Sequence, residues 1–154
     1  MTAYILQTPD PGYVPREIHG LIASIADLNT AIQWYNGING DTGATGTALG
    51  TGQANTTTIV TSQGTLGSYA ALLCVDYTNT DTGTGAYSDW YLPSKDELNN
   101  LYLNKTVIGG FSTGGYWSSS EDTDSLAWAQ DFNNGTWPAT GKNTTLHVRA
   151  VRAF

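Results

Sequence analysis

The sequence predicts an α+β domain. Three observations predict it: short strand-like segments open the chain, helical spacings fill its middle, and from Gly109 onward the pattern is strand and turn. With 154 residues, 40% of them hydrophobic and 11% aromatic, one domain over 1–154 is expected, its core large enough to need neither disulfide nor metal.

The elements follow in order. Ala3 to Gln7 reads as a short strand ended by the turn Thr8-Pro9-Asp10-Pro11-Gly12. His19 to Ser24 reads as a second strand and Ala31 to Trp34 as a third. Asn36 to Gly52 is rich in Gly and Thr and lacks an apolar period, so a surface loop is expected. Gln53 to Gln63 and Leu66 to Tyr77 are helical candidates. In the second, Leu66, Tyr69, Ala70, Leu73 and Tyr77 fall at spacings of three and four, one face of a helix. Thr78 to Ala86 reads as another loop. The rigid aromatic run Tyr87 to Pro93 leads to Ser94, whose N-cap position with Glu97 three residues on forms a capping box. Leu98, Leu101 and Tyr102 supply the apolar stripe of a helix running to about Lys105.

The last third carries the functional signal. Tyr116–Glu121 and Val148–Phe154 alternate apolar and polar residues as half-buried strands do. Between them, Asp122 to Leu126 and Thr136 to His147 show no period that would serve a core. A rigid frame around a patternless, solvent-facing insert is the form a binding surface takes.

Composition narrows the partners. Only 12% of residues are charged and the formal net charge is −7. Nucleic acid is not expected, because neutralising phosphates takes clustered Lys and Arg, and the basic residues are scattered. No segment reaches membrane-spanning length and no signal peptide is recognised; a strand-like start directly after Met1 suggests a domain cut from a longer protein. Cys74, the single cysteine, lies in the apolar run Ala70 to Val75, where a buried, inert thiol is expected.

Catalytic motifs have simpler readings. Asp41-Thr42-Gly43 and Asp81-Thr82-Gly83 match the aspartic-protease triplet, yet neither follows a hydrophobic strand, and turn chemistry explains both. Ser118–Ser120 and His147 could meet in space, but no nucleophile elbow is present, and small polar residues filling a sheet face account for the serines. His19 and His147 are too few for zinc, and His19 reads as a structural hydrogen-bonder. Glu121, Asp122, Asp124 and Asp131 could offer oxygen to calcium, although without a helix–loop context they read as a solvated acidic loop. Phosphate-loop and dinucleotide fingerprints are absent. The Asn-x-Thr triplets at Asn55, Asn104, Asn134 and Asn143 matter only in a glycosylating host. Arg149 and Arg152 are expected on opposite faces of one strand, one pairing with a buried carboxylate such as Glu121 or Asp89 and the other reaching the surface.

Six blocks carry a resemblance: His19–Ala23, Ile32–Gly37, Gly50–Thr56, Ser88–Leu98, Tyr116–Glu121 and Val148–Phe154. In this order they are similar to bacterial domains of the DUF1566 type, found also as the C-terminal domain of the Legionella collagen-like adhesin. The resemblance implies a C-type-lectin-like fold of the branch that holds formylglycine-generating-enzyme relatives, with two main helices and a small, irregular antiparallel sheet. It implies ligand binding through the C-terminal strands and loops, in surface adhesins, lipoprotein modules and phage or viral receptor-binding tips. A cell-surface, secreted or virion-associated location goes with this. The cysteine pair of the formylglycine enzymes has no counterpart, so no enzymatic activity is expected. The Glu-Pro-Asn calcium–sugar motif is missing, and no cofactor is expected.

Many such relatives are variable proteins of diversity-generating retroelements, in which adenines near the C-terminus are replaced. Adenine changes in an Asn codon reach the residue types at Thr123, Ser125, Leu126, Asp131, Thr136, Pro138, Ala139, Thr140, Gly141, Thr144, Leu146 and His147, and those in AAG reach Trp137. Ordinary drift of an exposed loop gives similar residues, and both origins stand. The expected ligand-binding set is these positions without Gly141, together with Asp122, Asp124, Trp128 and Ala129; Trp128 and Trp137 are the aromatic anchors and Asp122, Asp124, Asp131 and Thr136 the polar selectors. The expected partner is a protein or glycan on a cell surface; membrane insertion is not expected and an oligomer is compatible.

Overall fold

A buried strand near the C-terminus, Gly115–Glu121, organises the computed structural model, which describes residues 1–78 and 86–154. From Tyr116 to Glu121 every residue is buried. The elements run β1 (Thr2–Ile5), β2 (Gly20–Ala23), β3 (Asn29–Ile32), α1 (Gly52–Gln63), α2 (Ala70–Asp76), α3 (Lys95–Leu103), α4 (Lys105–Ile108), β4 (Gly115–Glu121), β5 (Leu126–Asp131), β6 (Ala139–Gly141), β7 (Leu146–Val148) and β8 (Val151–Ala153). They form two sheets, ordered β1-β2-β8 and β3-β7-β4-β5-β6. All pairings are antiparallel except β4 with β7, where Tyr116 faces His147. The α+β class therefore holds, with four helices among the described residues where two main ones were expected. Asp81-Thr82-Gly83 and most of the Thr78–Ala86 loop lie outside the described residues.

Helix α1 forms without an apolar stripe. Thr56, Thr57, Thr58 and Thr61 each donate their hydroxyl to the carbonyl four residues back, so the side chains that compete for backbone partners are satisfied inside the helix. Helix α2 is shorter than the predicted Leu66–Tyr77. Gly67 takes φ +91° and Tyr69 is extended, so the turn before Ala70 cannot be helical and Leu66 stays 85% exposed. The helix buries Ala70, Ala71, Leu72 and Cys74, and burial pushes the Cys74 thiol up. The third strand begins at Asn29, two residues earlier than predicted, and leaves Trp34 beyond its end, where the indole donates to Ser118 O at 2.8 Å.

The predicted capping box is present. Ser94 Oγ accepts from Glu97 N at 3.3 Å, and Glu97 accepts from Ser94 N at 2.8 Å and Gly50 N at 2.9 Å. Glu97 is thereby the clamp between the 46–52 loop and α3, and this close approach explains Gly52: a Cβ there would lie 2.1 Å from Glu97 Oε2. The helix ends at Leu103, and the short α4 follows after a break at Asn104.

The predicted Asn36–Gly52 surface loop is pinned at its middle by a second buried carboxylate. Glu121 accepts from Thr42 N, Thr42 Oγ1 and Gly43 N, all within 3.0 Å, and pairs with Lys142. Lys142 Nζ donates also to Gly40 O at 2.9 Å and Asp124 O at 2.8 Å, which satisfies its three N–H groups, and it lies 4.7 Å from the Trp34 ring. The partner of Glu121 is thus Lys142 and not an arginine. Arg149 lies between β7 and β8, buried, with Asp27 Oδ1 at 3.0 Å and the carbonyls of Gly109, Gly110 and Ile25 around it. The predicted Val148–Phe154 strand is broken there, so its two ends serve different sheets. Arg152 reaches the surface and pairs with half-exposed Asp89 at 2.7 Å.

Two outcomes test these clamps. Lys142→Met leaves Glu121 buried and unpaired, and urea unfolding should show a loss of about 3–5 kcal/mol; a loss below about 1 kcal/mol, the scale of an exposed pair, would contradict the assignment. Burial raises the Glu97 carboxyl above its ordinary 4.5, and the hydrogen bonds from Ser94 and Gly50 offset this only in part. Folded Glu97 then holds its proton more tightly than the unfolded chain does. Its contribution to stability is greatest below the unfolded value and falls as pH rises through the folded one. Glu97→Gln should flatten that decline in denaturation curves taken from about pH 4 upward, and an unchanged slope would sink this role for Glu97.

Candidate ligand-binding face

The insert predicted to be patternless contains strand at Leu126, Ala139–Gly141, and Leu146 and His147, and turn or irregular backbone elsewhere. β5 and β6 form a hairpin in which Leu126 faces Gly141, Ala127 faces Thr140 and Trp128 faces Ala139. The irregular sequence hides this because the strands are short and each face has its own partner. Ala127 and Ala129 pack into the core, so Ala129, 2% exposed, is not available to a ligand. The alternate residues Trp128, Gln130 and Phe132 face α3, which meets them with side chains one helical turn apart. Lys95 Nζ sits 3.5 Å from the Trp128 ring centroid, Gln130 Nε2 donates to Asn99 Oδ1 at 3.1 Å, and Tyr102 meets Phe132 edge-on at 5.4 Å. Three rungs thus fix β5 to the helix.

The turn after β5 presents the second tryptophan. Asp131 Oδ1 accepts from Asn133 N at 2.7 Å, its Oδ2 accepts from Asn134 Nδ2 at 3.3 Å, and Gly135 N returns to Asp131 O at 2.7 Å. Asn134 Oδ1 accepts from both Thr136 N and Thr136 Oγ1. Asp131 and Thr136, expected as polar selectors, are therefore committed to turn geometry. Gly135 takes φ +79°, and a Cβ there would press on the Tyr102 ring at 2.7 Å. Trp137, two residues before Ala139, lies on the Trp128 side of the hairpin with its ring 5.4 Å from Lys95 Nζ. Trp128 and Trp137 are both half-buried, so each indole keeps exposed surface beside the shared cation, with exposed Pro138 and Ala139 adjoining.

The other predicted residues divide by position. Asp122, Thr123 and Asp124 are exposed and Ser125 and Leu126 half-buried on the β4–β5 turn. That turn is held to the β6–β7 connection by the bond from Lys142 N to Ser125 O, which brings exposed Thr144 to the same end of the hairpin. Thr140 is half-buried on β6. Leu146 and His147 do not join them. They lie on β7, separated from β6 by β4 and β5. Leu146 packs against the core, and the His147 ring stacks on Tyr116 at 4.8 Å with Nδ1 3.2 Å from Asp27. The insert was expected to face solvent throughout; these two positions are corrected by their packing.

The serines and histidine are likewise spoken for. Ser118 Oγ donates to Trp128 O, Ser120 Oγ donates to Gly46 O, and Ser119 Oγ accepts from Asn55 Nδ2, so the triple Ser ties a buried strand to its neighbours. Among the described residues no group of three or more His, Cys, Asp or Glu is arranged to hold a metal ion, and no helix is long and apolar enough to cross a membrane.

Two functional positions escaped the sequence reading. Lys142 fell within the insert expected to face solvent, yet it is 1% exposed. Lys95 did carry a signal: it occupies the first position of α3, where the helix dipole disfavours a cation, so some other interaction must account for it. No curated protein sequence matches the chain. The Lcl C-terminal domain family matches residues 23–152, which takes in the hairpin, the clamps and both tryptophans. The chain belongs to the Lcl C-terminal domain family.

Proposed function

We propose that this domain is a recognition module of adhesin type, which captures a protein or glycan at a cell surface through the β5–β6 face and the turns beside it. One observation carries the reading: two part-exposed tryptophans of the hairpin flank Lys95 of α3. That helix fixes β5 on the same side, while Ala127 and Ala129 anchor the other side in the core. Large, rigid rings dominate binding energy at low entropic cost, and they do so best on a scaffold that does not move. Family membership supports a surface-associated, adhesin-like role, and the C-type-lectin-like fold implied by the resemblance belongs to the same reading. Ser118, Ser119, Ser120 and His147 are engaged in structural bonds, which favours binding over chemistry.

The retroelement reading has a specific observation in its favour. Positions reachable from an Asn codon include exposed Thr123, Thr136, Pro138, Ala139 and Thr144, clustered on this face and its flanking turns. Packed Leu146 and His147 weigh for drift instead. A near-copy repeat of codons 116–154, differing only at adenines and lying beside a reverse-transcriptase gene, decides between the two.

Trp137→Ala should abolish capture on protein and glycan arrays while leaving the melting temperature nearly unchanged, because its ring lies outside both core clusters. Undiminished capture by the variant would remove β5–β6 as the binding face.

A further inference from the structure

Lys95 is the informative group on this face. Among the described residues its ammonium makes no hydrogen bond and no ion pair; its neighbours are the rings of Trp128 and Trp137. The chain carries 13 Asp and Glu against 6 Lys and Arg, and Lys142, Arg149 and Arg152 each have a carboxylate. An indole face attracts a cation without filling its N–H donors, so Lys95 is held in place with its hydrogen-bonding capacity intact. The first-turn N–H groups of α3 are already taken by Ser120 Oγ, Thr47 O and Ser94 Oγ, so an anion arriving here would bind through the ammonium.

The surroundings narrow the anion further. Reading the hydroxyls of a sugar takes free polar side chains beside the stacking ring. Here Asp131 and Asn134 are occupied with the turn, and the Gln130 amide N–H with Asn99 Oδ1. Beside the Asn99 amide N–H groups and the exposed Asn133 side chain, what stays open around Lys95 is apolar: two indoles, Pro138 and Ala139. A net charge of −7 disfavours a dense polyanion, whereas a single carboxylate between apolar groups fits.

We infer that Lys95, held between Trp128 and Trp137, receives the carboxylate of an acidic side chain in a peptide ligand, with the indoles contacting apolar side chains on either side of it. This rests on the reading of β5–β6 as the binding face. The probes are acetyl-Phe-Glu-Phe-amide, its Gln counterpart, and a uronic-acid disaccharide, each titrated while the indole N–H resonances of Trp128 and Trp137 are followed by NMR. The Glu peptide should shift both resonances and bind about tenfold or more tighter than the Gln peptide, the scale of one hydrogen-bonded charge. Lys95→Met should erase that preference and Lys95→Arg restore it, the rest of the spectrum marking both variants as folded. Equal binding of the two peptides, a preference that survives Lys95→Met, or shifts from the disaccharide alone would overturn the inference while leaving the face in place. No shift with any probe would overturn the inference and count against the face as well.

Discussion

The buried pair of Glu121 and Lys142 is the constraint on which the rest of the architecture depends. Taking both charges out of water is costly, and attraction between them offsets the cost only when every remaining donor and acceptor is also satisfied. Here that condition is met. Three oxygens surround the ammonium, and the Thr42 and Gly43 groups complete the carboxylate. The bonds reach the 40–43 loop, the β4–β5 turn and the β6–β7 connection at once, three segments with little apolar surface of their own. In a chain this rich in Gly and Thr, one saturated ion pair does the positioning that a hydrophobic contact would do elsewhere.

The same economy runs through the other charges. Arg149 gathers Asp27 and three carbonyls where β7 gives way to β8, and Asp27 also accepts from Tyr116, so the break between the sheets is held by a single guanidinium. Glu97 joins the 46–52 loop to α3. Lys95, on the tryptophan face, has rings and no carboxylate as its neighbours, and the face differs in this from the clamps that support it.

The sequence made part of this legible. Ser94 and Glu97 announced the start of α3 because a capping box is local: both partners lie within one turn. The opening strands were legible for the same reason, as a short apolar run and the turn residues that end it are both local. Helix α1 was found despite its threonines, and its stability comes from hydroxyl-to-carbonyl bonds that no apolar period records. Helix α2 was overdrawn because the spacing from Leu66 ignored Gly67. The hairpin was missed as structure because Ala127 and Ala129 serve the core while Trp128 and Gln130 serve α3, so no face reads as solvent. The tryptophans were identified by residue type alone. Lys95, Lys142 and Asp27 act through partners 18 to 122 residues away, and single-sequence patterns carry no such pairing.

A stiff hairpin carrying tryptophans above a charge-clamped frame is the central claim, and chemical-shift mapping with a ligand recovered from the arrays tests it most directly. The account predicts perturbations centred on Lys95, Trp128, Trp137 and Ala139, with the β1-β2-β8 sheet silent. Perturbations centred on that sheet, around Leu21 and Phe154, with the tryptophan indoles unmoved, would contradict it.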